Sequence, residues 1–119
     1  MQPEQRDPAY LWDMLDAART VREFTAGISF VEYMADRKLQ LAVEREIEII
    51  GEAARKVSDD FRDAHPELPW RAIVGQRHIL AHEYGRIDHS RIWVVVTKDI
   101  PDLIARLEPL VPPSPPEVE

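Results

Sequence analysis

Arg37-Lys38-Leu39-Gln40-Leu41-Ala42-Val43-Glu44-Arg45-Glu46-Ile47-Glu48-Ile49-Ile50-Gly51-Glu52-Ala53-Ala54 is the stretch that decides the fold. Leu41, Ile47, Ile50, Ala54 and, further on, Val57 and Phe61 return to one side of a helix, with charged residues between them. The pattern predicts one long amphipathic helix running to about residue 64. Pro66-Glu67-Leu68-Pro69 stops it, because a proline disfavours helix in the residue before it.

Working outward, the same signals predict further helices. Asp7-Pro8 reads as a cap followed by a first-turn proline, and Leu11, Leu15, Ala18 and Val21 form an apolar stripe as far as Gly27. Ser29 and Glu32 have the spacing of a capping box for a second helix. A fourth helix starts near Pro69-Trp70 and carries Ile73, Val74, Ile79 and Leu80 to Gly85. Asp88 caps a fifth with Ile92, Trp93, Val95 and Val96, and Pro101 either kinks it or starts a last one with Leu103, Ile104 and Leu107. Val94-Val95-Val96-Thr97 favours strand by propensity, but a lone strand has nothing to pair with, so buried helix is expected. The expected fold is all-α, a bundle of four to five helices over residues 1–111, with a Pro-rich disordered tail at 112–119.

Composition narrows the function. The chain has 119 residues, enough for one core, and no cysteine, which excludes disulfides, thiol nucleophiles and Cys-based zinc sites. No apolar run is long enough to span a membrane and no leader pattern opens the sequence, so a cytoplasmic protein is expected. A net charge of −7 argues against general coating of nucleic acid. Between Trp70 and Lys98, however, five basic residues face two acidic ones, and three of the four histidines fall there. Such a segment suits a local anion site.

Within it lies Arg77-His78-Ile79-Leu80-Ala81-His82-Glu83-Tyr84. Arginine can hold a phosphate with a fork of donors, and histidine titrates near neutrality, so it can move protons at attacking and leaving oxygens. The set suits metal-free RNA cleavage. The same residues also suit plain structural duties: a solvated arginine, a histidine at a helix C-terminus, a packing tyrosine. His78 and His82 could share a metal, but a third ligand is not marked nearby and His-Glu-x-x-His is absent, so no metal site is expected. Glu44, Glu46, Glu48 and Glu52 read as a solvated acidic face. Trp12, Trp70 and Trp93 read as core or interface anchors.

Arg77-x4-His82-x-Tyr84 resembles the signature of the HEPN superfamily, specifically the HepT-like toxins of HEPN/MNT toxin–antitoxin pairs. Tyr10-Leu11, Thr25 to Phe30, Ile49 to Ala54, Pro69-Trp70-Arg71 and Val96 to Asp99 with Pro101 look like landmarks of that family in the expected order. The resemblance implies a HEPN-like bundle that forms a homodimer and a metal-independent endoribonuclease needing no cofactor. Arg77 and His82 would be catalytic, acting on transfer or messenger RNA. It also implies a partner, a minimal nucleotidyltransferase (MNT) antitoxin, as in type VII-like systems, that adds AMP to Tyr84. The family commonly has Asn after the motif arginine, where this chain has His78, which is expected to assist by hydrogen bonding. The alternative from another class is a non-catalytic helical module that binds a nucleotidyltransferase.

Overall fold

The structure, a computed structural model, describes residues 3–75 and 88–113. Helix α1 spans Pro3–Thr25 and α3 spans Arg37–Lys56, and their apolar faces form the most extensive helix–helix contact. Leu11, Met14, Leu15, Ala18 and Val21 from α1 meet Val43, Ile47, Ile50 and Ala54 from α3, all buried. Fully burying a side chain of this size contributes about 1.5–3 kcal/mol for Leu or Ile, so this seam dominates the stability of the bundle.

The connection between the two helices is set by local chemistry. Gly27 sits at φ 72°, the left-handed conformation that ends α1. Ser29 then caps α2 (Phe30–Met34): its hydroxyl accepts from the Glu32 N–H at 3.1 Å while the Ser29 N–H donates to the Glu32 carboxylate at 2.9 Å. The expected capping box is therefore present. Asp36 caps α3 by accepting from the Leu39 N–H at 3.0 Å. Buried Gln40 donates to the Tyr33 and Met34 carbonyls, satisfying the end of α2.

Two expectations need correcting. Helix α1 starts a turn before Asp7, with Pro8 inside it, so Asp7 is not its cap. Asp7 is buried instead and accepts from Ser58 twice, from the N–H at 2.8 Å and from the hydroxyl at 2.6 Å. The long helix expected to reach residue 64 stops at Lys56, because Val57 and Ser58 turn extended and Ser58 caps a new helix, α4 (Asp59–Ala64), by accepting from the Phe61 N–H. Asp7 near the start of α1 thus grips the residue just past the end of α3, which makes the two helices antiparallel.

After Pro66 and Pro69 a helix opens at Trp70 (α5) and is described through Gly75. The Trp70 indole donates to the His65 carbonyl at 2.9 Å, and Phe61 stacks on His65, which fixes the corner between α4 and α5. Asp88 caps α6 (His89–Val94), as its position predicts, by accepting from the Ser90 and Arg91 N–H groups. The valine run is helical rather than extended. At Val95–Asp99 the helix widens into one π turn, in which the Ile100 N–H reaches back to the Val95 carbonyl. Pro101 has no N–H to continue the ladder, and the wider turn lets the chain pass it and start α7 (Ile100–Leu107). Ile100, Leu103, Ile104 and Leu107 of α7 are buried on one face, and α7 also packs on α1. Among the described residues there is no strand, so the expected all-α class holds. Residues 114–119 of the expected tail lie outside the described residues.

Asp7→Ala would leave the part-buried Ser58 N–H without its carboxylate acceptor. The expected cost is about 1.5–3 kcal/mol in urea unfolding, with Asp7→Asn losing less because it keeps one acceptor oxygen. A loss under about 0.5 kcal/mol for the alanine variant would show that the clamp contributes little.

Candidate functional site

Arg77, His78, His82 and Tyr84, the four residues on which the functional reading rests, lie outside the described residues. The structure does describe the elements that flank the segment in sequence. Gly75 ends the described part of α5, and Asp88 opens α6. Gly75 and Arg91 line one cavity of about 500 Å³, together with Ala72 from α5, Ile47 from α3, and Ile92, Val94, Val95 and Asp99. Ile47, part of the α1–α3 seam, contributes to the cavity's apolar wall beside Ile92, Val94 and Val95.

A wider cleft of about 1,120 Å³ is lined by Asp59, Arg62, Asp63, Leu68, Trp70 and Arg71 among others, and it too reaches Gly75. Its charges are mixed. Arg62 is already paired with Asp59, which leaves exposed Arg71 as the free-standing cation among the described lining residues. Arg91 and Lys98 are also exposed, so the described part of the basic segment presents its cations to solvent.

The acidic residues of α3 are not the solvated face expected from their charge. Glu44, Glu46, Glu48 and Glu52 are all partly buried. Glu44 faces His89 at the start of α6, with 3.8 Å between the carboxylate Oε2 and the imidazole Nδ1. Burial pushes the Glu44 carboxyl above its ordinary range, while His89 and Arg37 pull it back down. Tyr33 of α2 completes this group: it is fully buried, its ring meets His89 edge-on at 6.1 Å and Trp93 at 4.9 Å. Its phenol is pushed up to about 12, first by burial and then by the charge of Glu44. The sequence reading passed over Tyr33 and His89. The signal available was the four-residue step from His89 to Trp93, which puts both rings on one face of α6. Trp12, Trp70 and Trp93 all pack partly buried against the core, as anchors would.

Among the described residues no group of three or more His, Asp or Glu side chains could hold a metal, and no helix is long and apolar enough to cross a membrane. The His78–His82 pair lies outside them.

Comparison with known proteins places this architecture. The family model for ribonuclease HepT-like proteins matches residues 14–110, a range that contains both α3 and the Arg77–Tyr84 segment. A Methanocaldococcus jannaschii protein named as a candidate RNase is 41% identical over 100 residues, covering 84% of this chain and 92% of that protein. The Thermococcus cleftensis protein named probable ribonuclease HepT is 42% identical over 101 residues, covering 85% of this chain and 92% of its own. A Caldanaerobacter subterraneus protein also named as a candidate RNase is 38% identical over 94 residues, covering 79% and 84%. No solved structure matches the chain significantly. The chain belongs to the ribonuclease HepT-like family.

The partly buried carboxylates give a pH prediction. Burial raises Glu46, the nearby Asp16 raises it further, and Arg45 opposes both. A carboxyl raised in the folded state favours folding while it is protonated and loses that contribution as pH rises through its raised value. Glu46→Gln, which cannot ionise, should therefore raise the unfolding temperature by about 1–3 °C at pH 7 and leave it nearly unchanged at pH 4. An equal rise at both pH values would contradict burial as the cause.

Proposed function

We propose that the protein is the toxin of a type VII-like HEPN/MNT toxin–antitoxin pair, a metal-independent endoribonuclease that works as a homodimer. Membership of the ribonuclease HepT-like family, over a range that includes Arg77, His82 and Tyr84, carries this reading. The basic segment in an otherwise acidic chain supports it, since it confines attraction for phosphate to one region.

The chemistry needs few parts. The 2′-hydroxyl of RNA attacks the adjacent phosphorus, and the bond to the 5′-oxygen of the next nucleotide breaks. His82 moves the proton at the attacking or leaving oxygen, and Arg77 holds the phosphate oxygens as negative charge builds on them. His78 assists by hydrogen bonding to the phosphate or to His82. An AMP group on Tyr84, added by a minimal nucleotidyltransferase partner, would put a bulky anion beside the catalytic pair and so exclude the RNA backbone.

The test is cleavage of total RNA, transfer and messenger RNA included, by unmodified protein in excess chelator. His82→Ala is expected to lower the rate by about 10²–10⁴-fold. Arg77→Ala should also lower it, and the double variant should fall well short of the product of the single losses, because both act on one transition state. Wild-type cleavage by His82→Ala would overturn the catalytic assignment. Absence of cleavage by the wild type, with an intact mass showing no AMP, would favour a non-catalytic module that binds the nucleotidyltransferase. Co-expression with that partner should add AMP to the wild type and not to Tyr84→Phe.

A further inference from the structure

Three elements bring polar atoms to one buried place beside α6. Tyr33 comes from α2, Glu44 from α3, and His89 is the first residue of α6. The Tyr33 hydroxyl, Glu44 Oε2 and His89 Nδ1 are all shielded from solvent, and among the described residues none of the three has a hydrogen-bond partner. At 3.8 Å the carboxylate and imidazole are close enough for charge attraction and too far apart for a direct hydrogen bond. Buried polar groups are costly when unmatched, and unlike buried Asp7 and Gln40, whose side chains are hydrogen-bonded, these three atoms are not, so the cluster calls for a role beyond packing.

The placement supplies one. The Asp88 cap holds the first turn of α6 through its own backbone, but nothing in that cap ties the turn to the rest of the bundle. Glu44 and Tyr33 do, through His89, and the Tyr33 ring also meets Trp93 one turn further on. His89 follows His82 by seven residues and Tyr84 by five. The cluster therefore grips the bundle's side of the return from the motif segment. Glu44 is faced by His89 on α6, by Tyr33 on α2 and by Arg37 on its own helix, so the grip combines charge and shape.

We propose that Tyr33, Glu44 and His89 form a positioning cluster for the ribonuclease reaction, fixing the first turn of α6 and thereby the C-terminal anchor of the Arg77–Tyr84 segment. The proposal rests on the ribonuclease reading above. These are positioning residues: they act through the backbone of α6, so their loss lowers turnover without weakening capture of RNA.

The experiment uses the full chain as wild type, Glu44→Ala, His89→Ala, the double alanine variant and Glu44→Gln. Steady-state RNA cleavage and amide hydrogen exchange over residues 88–94 are measured on each. Each single alanine variant should lower kcat by about 10–100-fold with KM within about twofold, since small misplacements of reacting groups carry costs of this order. The double variant should resemble the singles, because they break the same cluster. Glu44→Gln, which keeps the shape and removes the charge, should recover part of the lost kcat, the part owed to shape. Exchange in α6 should speed up in the alanine variants alone. Wild-type kcat in both single alanine variants would overturn the proposal, as would lost kcat with unchanged exchange in α6 and no recovery by glutamine. If the wild type does not cleave RNA, the ribonuclease reading fails separately, and unchanged α6 exchange in the alanine variants would still overturn the positioning claim.

Discussion

The antiparallel contact between α1 and α3 is the constraint from which the other placements follow. Small residues make it close: Ala17, Ala18, Gly51, Ala53 and Ala54 are all buried, so the backbones approach while Leu11, Leu15, Ile47 and Ile50 fill the flanks. The ends are then pinned by polar chemistry. Asp7 holds Ser58 at one end, and at the other Gln40 closes the short helix between them. With this pair fixed, α7 lays its buried stripe against α1, and α5 and α6 meet beside Ile47. Described residues of α5 and α6 thus share a cavity wall with the α1–α3 seam. The acid–base roles proposed for Arg77 and His82 would need reacting groups held to a tight tolerance, which a firm scaffold favours.

The bundle also handles charge economically. It is acidic overall, which disfavours diffuse contact with nucleic acid, yet its carboxylates are not simply spread over the outside. Several sit partly inside, and desolvation holds Glu44 and Glu46 above their ordinary range. The described cations of this region, Arg71, Arg91 and Lys98, are by contrast exposed. Phosphate is therefore attracted to one region and repelled by much of the remainder, a distribution suited to an enzyme that engages one stretch of backbone at a time.

Much of the fold was legible in the sequence because it is specified locally. The Ser29–Glu32 box, the Gly27 stop and the Asp88 cap depend on residues within a few positions, and each occurs where its spacing places it. The errors have one physical origin. Asp7 reads as a cap and Val57-Ser58 reads as mid-helix only if the two are considered apart. They are partners 51 positions distant, and that long-range clamp is what ends α3 early. The acidic face of α3 was misread for the same reason: the helical period shows where Glu44 points, but not that His89 and Tyr33 arrive to cover it. The π turn before Pro101 belongs to the same class, since a proline signals a disturbed ladder without saying how it is resolved. For the candidate site, the chemistry of Arg77, His82 and Tyr84 was legible as residue types at a spacing, and the structure describes the helices that precede and follow them in sequence.

The most direct test of the central claim is the chemistry of the ends left on RNA cut by the unmodified protein in excess chelator. Attack by the neighbouring 2′-hydroxyl, with Arg77 and His82 serving the phosphate, predicts a 2′,3′-cyclic phosphate on one fragment and a 5′-hydroxyl on the other. Fragments carrying a 3′-hydroxyl and a 5′-phosphate would mean that water attacks the phosphorus from outside the RNA, and would contradict the account.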